Sequence, residues 1–229
     1  IGLAAWIIDR RPSCGRGRDG RAGVGPAPFA TSPLTPDTAQ GFLSALRDLS
    51  EALAETGSPA MIIGGVAVIA LGVPRLTVDI DATVAASAVS VERLIETLAR
   101  HDIHARIPEA ESFARTRQVL LAVHQASGTP VDVSFAWLPF EEEALRHAHV
   151  RDYAGVTIRI PRPEDLIIYK LVASRPRDLQ DAEGLLVLYG ASMDVARIRA
   201  VVNEFAQALD DAERPQALER LLDKTRPRD

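Results

Sequence analysis

The sequence predicts an α+β protein followed by an all-helical C-terminal part, on three observations. Between about residues 36 and 160, short apolar runs of strand length alternate with stretches at helical spacing. After Pro163 only the helical period remains. Ahead of both, residues 12–36 are rich in Gly, Pro, Arg, Ser and Thr and poor in large apolar side chains. Such a stretch cannot bury enough surface to offset ordering entropy, so 1–35 reads as a disordered leader. The expected division is therefore 1–35 leader, 36–160 α+β domain and 161–229 helical subdomain.

The elements follow in order. Thr35-Pro36 is a cap with Pro at the first helical position. Phe42, Leu43, Leu46, Leu49 and Leu53 then keep helical spacing until Gly57-Ser58-Pro59. The run 60–63 is a short apolar strand, and Gly64-Gly65 turns into a small-residue helix over 66–71. Residues 76–84 alternate as a strand does, and Val91, Leu94, Ile95 and Leu98 mark another helix. Residues 118–124 and 131–135 read as strands joined around Gly128-Thr129-Pro130. Glu141, Glu142 and Glu143 look like the acidic first turn of a helix, and 156–160 is a further strand. The helical part breaks near Arg175-Pro176, Gly190 and Arg214-Pro215.

The bulk properties narrow the function. A net charge of −5 over 229 residues argues against a generally basic coat for nucleic acid, though not against a local patch. The one cysteine, Cys14, cannot form an internal disulfide, which fits a reducing cytoplasm. No apolar run approaches the roughly 18 residues of a membrane span. The opening IGLAAWIIDRR places its apolar patch before Arg10 and Arg11, the reverse of a signal peptide, so none is expected. The histidines at 101, 104, 124, 147 and 149 lack the H-E-x-x-H spacing of a zinc-binding helix, and no G-x-S-x-G elbow is present.

The chemistry gathers around Gly64-Gly65 and the run from Arg75 through Thr77 to Asp79 and Asp81. In a strand, alternate side chains share a face, so Asp79 and Asp81 would project together, about 7 Å apart along it. Like charges so close raise one another's pKa, and a divalent cation removes that cost. Hard oxygen ligands suit Mg²⁺. On the later strand Asp132 and Ser134 share the face opposite Val131, Val133 and Phe135. If the two strands are neighbours, Asp132 completes a cluster able to hold two metals about 3.5–4 Å apart, as in-line displacement at phosphorus requires. Glycines between a strand and a helix start let backbone N–H groups approach phosphates.

This pattern resembles the polymerase-beta-like nucleotidyltransferase superfamily, and within it the group related to the toxins of AbiE-type abortive-infection systems. The resemblance covers roughly residues 40–190. It implies a minimal nucleotidyltransferase fold, with a mixed sheet of about four or five strands, flanking helices and a helical subdomain closing the nucleotide cleft. It implies Asp79 and Asp81 as ligands of both metals, and Asp132 as ligand of the metal that activates the acceptor or as its proton acceptor. Gly64 and Gly65 would hold the triphosphate of an NTP such as ATP, with Arg75 and Thr77 nearby. Lys170, followed by Arg177-Asp178 and Asp181, is similar to the family's Lys and K/R-D-x-x-D stretch. There the Lys meets phosphates or acceptor and the Asp residues shape the site. Two departures are visible: Arg177 stands for the commoner Lys, and Gly65 takes the place of the commoner Ser.

The implied activity is transfer of a nucleoside monophosphate to a hydroxyl. The acceptor could be the 3′ end of tRNA, as for a toxin with a cognate antitoxin, another protein, or a small molecule such as an aminoglycoside or lincosamide. A non-enzymatic nucleotide- or partner-binding module is the alternative, motivated by the long helical tail. A D-x-D glycosyltransferase is disfavoured by the short chain and its helical C-terminal part.

Overall fold

The computed structural model describes residues 36–226, so the expected leader, with Cys14, lies outside the described residues. The chain begins with α1 (Pro36–Glu55), β1 (Ala60–Ile63), α2 (Gly64–Ala70), β2 (Ile80–Ala85) and α3 (Val91–Arg100). Next come β3 (Ile103–Ala105), α4 (Ala110–Arg117), β4 (Val119–His124), β5 (Thr129–Ala136) and α5 (Pro139–His147). A hairpin of β6 (His149–Tyr153) and β7 (Val156–Ile160) leads to α6 (Pro163–Ala173), α7 (Pro176–Tyr189), a short 3₁₀ turn, α8 (Val195–Leu209) and α9 (Glu213–Thr225).

The architecture is α+β: a mixed five-stranded sheet in the order β1-β2-β5-β4-β3, with helices packed around it. β2 and β5 are parallel, and the other pairs are antiparallel. β2 and β5 occupy the second and third places, which is why their apolar faces read as near-continuous buried runs. β6 and β7 join through Ala154 and Gly155, both at positive φ, as a tight right-twisted hairpin turn needs.

One apolar core runs through both parts of the chain. Leu46 and Leu49 of α1, Ile80 and Val84 of β2, Val131 and Val133 of β5, and Leu166, Ile167 and Leu171 of α6 all belong to it. Phe140 of α5 packs at 5.1 Å, centroid to centroid, on Tyr169 of α6 and at 5.9 Å on Phe205 of α8.

The structure differs from the sequence expectation in identifiable places. The alternation over 76–84 becomes a strand only at Ile80. Leu76 and Val78 are 67% and 66% exposed, so no packed face holds the first half of that stretch in a sheet. β3, α4 and β6 carry no clear apolar period: each is short, and β6 has no buried residue. The last break falls after Asp210, which takes the left-handed conformation (φ 50°). Pro215 instead lies in the first turn of α9, where its missing N–H costs nothing.

Candidate active site

The parallel register of β2 and β5 places Asp81 directly opposite Asp132. On its other side Asp81 lies opposite Ile63, the last residue of β1. The chain leaves β1 at Gly64 with φ +64°, against the Asp81 side chain. A Cβ at Gly64 would run into Asp81 Oδ2 and lie 2.9 Å from its Cβ and Cγ. At Gly65 a Cβ would collide with the Thr77 hydroxyl and lie 3.0 Å from Arg75 Cζ. The two glycines are therefore required by close approach, and the place a Ser Cβ would take at position 65 is filled by Thr77.

Asp79 stands just ahead of β2, in the connection that follows α2, and not in the strand. The Thr77 hydroxyl, itself buried, donates to Asp79 Oδ1 at 2.8 Å and fixes that carboxylate. The connection itself is tied along α7 in the opposite chain direction. Arg177 donates to the Leu76 carbonyl, Arg75 Nη1 lies 2.5 Å from Asp181 Oδ2, and Val73 packs where a Cβ on Gly184 would go. At the far end the Tyr189 hydroxyl donates to the Leu71 carbonyl at 2.8 Å.

Lys170 is buried, with its ammonium 3.2 Å from Asp178 Oδ1 and 2.8 Å from Asp181 Oδ2. Arg175 grips Asp178 through Nε at 2.5 Å and Nη2 at 3.2 Å. Burial by itself would raise the pKa of Asp178. The hydrogen bond from Arg175 and the charges of Lys170 and Arg175 outweigh it and hold the carboxyl below its ordinary range. Arg175 is raised, first by its hydrogen bond to Asp178 against the opposing effect of burial, then by the charges of Asp178, Asp81 and Asp79. Its guanidinium thus feels the two β2-side carboxylates while remaining 49% exposed. The sequence reading marks Arg175 only as a helix break.

Arg106 is the second residue that sequence reasoning missed. Its Nη1 lies 2.7 Å from Asp132 Oδ1 and donates to the Ala122 carbonyl at 2.9 Å. No sequence spacing signals this pair, because it exists only once β4 has placed the two residues side by side.

The structure thus brings Gly64, Gly65, Arg75, Thr77, Asp79, Asp81 and Asp132 together at the head of β2 and β5, with Lys170, Asp178 and Asp181 bracing one side. Among the described residues, no three His, Cys, Asp or Glu side chains already stand at metal-holding distance from one another. The donor set still fits a hard divalent cation: carboxylates opposite one another on neighbouring strands, beside a backbone cradle that any Cβ would fill. Two recesses of about 490 and 410 Å³ lie elsewhere, one beside Met61 and Ile158, the other behind the connection at Val73 and Leu188.

Comparison with known proteins gives the family. No curated protein sequence matches the chain. Among solved structures, the antibiotic-resistance factor ANT(2'')-Ia in solution superposes with a TM-score of 0.53 at 20% identity, covering 76% of this chain and 96% of that one. Its crystal structure in complex with adenylyl-2''-tobramycin gives 0.50 at 19% identity, covering 75% and 99%. An antigenic nucleotidyltransferase-like protein from Paracoccidioides brasiliensis gives 0.50 at 14%, covering 82% and 95%. At such identities the likeness is one of fold. Residues 42–222, most of the chain, match the family described as "Nucleotidyltransferase of unknown function (DUF6036)", and the protein belongs to that nucleotidyltransferase family.

Proposed function

We propose that this protein transfers a nucleoside monophosphate from an NTP to an acceptor hydroxyl, using Mg²⁺ held by Asp79, Asp81 and Asp132. The observation that carries this reading is the β2–β5 register, which sets Asp81 opposite Asp132 beside the Gly64 backbone. Bound there, two divalent ions would supply charge neutralisation for the attacking and leaving oxygens at phosphorus. The protein's own residues do the rest. Backbone N–H groups at Gly64 and Gly65 receive the β and γ phosphates, and Arg175 faces the same space with its positive charge. Thr77 orients Asp79. The acceptor oxygen bonds to the α phosphorus as the bond to the β-phosphate oxygen breaks. Pyrophosphate departs, and the acceptor proton passes to Asp132 or to water.

For the acceptor, the charge arrangement favours a small polar molecule. Around the site, Lys170, Arg75 and Arg175 are each paired with Asp178 or Asp181, and the chain as a whole is acidic, which supports a small acceptor over an extended RNA backbone. ANT(2'')-Ia, caught with an adenylylated aminoglycoside, is a fold relative in which such an acceptor is used. The motif resemblance to AbiE-type toxins supports a second reading, in which the acceptor is tRNA, a cognate antitoxin exists and the protein works in the cytoplasm. The test is incubation with labelled ATP and each other NTP, Mg²⁺, and either total tRNA or a panel of aminoglycosides and lincosamides. Expected is Mg²⁺-dependent release of pyrophosphate and labelling of one acceptor class. Asp79→Ala/Asp81→Ala should lose that labelling by at least about a hundredfold, the scale of a lost electrostatic contribution of ~3 kcal/mol. Nucleotide binding with no transfer to any acceptor would instead support a binding module.

A further inference from the structure

Arg106 and Asp132 form an ion pair at the third carboxylate of the site. Arg106 follows β3 directly, and its backbone N–H donates to the Leu121 carbonyl at 3.0 Å, continuing the ladder onto β4. Leu121 lies opposite Asp132 in the β4–β5 register. From this anchor the Arg106 side chain reaches past β4, is held by the Ala122 carbonyl, and places Nη1 2.7 Å from Asp132 Oδ1. The Arg106 side chain is 31% exposed, whereas that of Asp132 is 7% exposed. The charge of the buried third carboxylate is therefore met by a guanidinium on a more exposed side chain.

We infer that Arg106 is a built-in counter-ion that competes with divalent metal for Asp132. This rests on the reading of Asp79, Asp81 and Asp132 as metal ligands. A cation approaching Asp132 Oδ1 meets the positive charge of a guanidinium already in ion-pair contact with that oxygen. Metal binding at Asp132 Oδ1 competes with Arg106, so this carboxylate is loaded less readily than Asp79 and Asp81. An NTP, which brings its own negative charge, would tip the balance. The pair thus couples loading of the third carboxylate to the arrival of substrate. Arg106 is on this view a positioning residue and touches neither acceptor nor nucleotide.

The test is Mn²⁺ binding to the whole chain, followed by electron paramagnetic resonance without nucleotide, in the wild type and in Arg106→Ala, Arg106→Gln, Arg106→Lys and Arg146→Ala. Arg106→Gln keeps a donor for the Ala122 carbonyl, so it carries the test if the Ala variant fails to fold. Removal of the charge should tighten Mn²⁺ binding about fivefold to tenfold, the effect of one partly screened charge near the site. Arg106→Lys should stay near wild type. Arg146→Ala, which removes the same charge from an exposed position on α5, should change nothing. Adding Asp132→Asn to Arg106→Gln should abolish the gain. Equal or weaker binding in Arg106→Gln, or an equal gain in Arg146→Ala, overturns the inference. If Asp79→Asn also leaves Mn²⁺ binding unchanged, the metal-site reading itself has failed. Dependence on Asp79 without any effect of Arg106 would remove the counter-ion alone.

Discussion

Gly64 is the residue on which the site's compactness turns. Its φ of +64° is already a conformation that L side chains adopt at a cost, and its missing Cβ leaves room for the Asp81 carboxylate. Gly64→Ala should therefore do two things. It should lower stability by about 1–3 kcal/mol, the usual cost of left-handed strain plus a buried collision. It should also push Asp81 away from Asp132, lowering transfer activity at least tenfold. Chemical denaturation and the labelling assay measure the two separately. A variant with full activity and wild-type stability would show that the glycine is dispensable. Some of this was legible in the residues alone: a Gly-Gly between an apolar run and a small-residue helix already signals a close approach. What the glycine approaches was not legible. Asp81 becomes its neighbour only through the β1–β2 pairing, and Arg106 becomes Asp132's neighbour only through β4.

At the scale of elements, α7 and the connection ahead of β2 behave as one unit. The polar ties from Arg75, Arg177 and Tyr189 hold a stretch whose apolar side chains, Leu76 and Val78, are left in solvent. Alternating residues at 76–84 suggested a longer strand because period two was all the sequence offered. The polar partners that override it lie about a hundred residues away, as the Arg177 contact to Leu76 shows with a separation of 101. The same tertiary effect separates Lys170 from Arg175. Lys170 is buried between two aspartates, so Lys170→Met should cost about 3–5 kcal/mol by leaving buried carboxylates without their ammonium. Arg175 is half exposed and faces Asp79 and Asp81. Arg175→Ala removes two hydrogen bonds from buried Asp178 and should cost about 1–3 kcal/mol, and it should also weaken NTP binding about tenfold. Denaturant melts and nucleotide titration decide between them. Strong destabilisation by Arg175→Ala together with unchanged nucleotide affinity would assign both residues to structure.

At the scale of the molecule, the α+β part and the following helices share one core, and a buried carboxylate lies at their seam. Glu141, in the first turn of α5, is 1% exposed and accepts the backbone N–H groups of Trp137 and Leu138 at 3.1 and 3.2 Å. Its neighbour Phe140 packs on Tyr169 of α6, whose buried hydroxyl lacks a hydrogen-bond partner among the described residues. Burial raises Glu141 to about 7 from 4.5, despite the opposing backbone hydrogen bonds. The charge on Glu141 in turn adds to the burial that pushes the Tyr169 phenol upward. Because the folded-state pKa is raised, the folded chain binds more protons than the unfolded chain between pH 4.5 and about 7. Stability from this group is thus greatest below pH 4.5, declines as pH rises through that window, and is level above it. The full span amounts to about 3 kcal/mol. Glu141→Gln keeps the shape and an acceptor for the cap but cannot ionise. Between pH 5 and pH 8 the wild type should lose about 5 °C more in Tm than Glu141→Gln does, by the usual relation of free energy to Tm at this size. Parallel Tm curves for the two proteins would place the pH dependence in other groups. A difference that grows through pH 6 and 7 would show that the ionisation of one carboxylate at the seam is felt by the whole shared core.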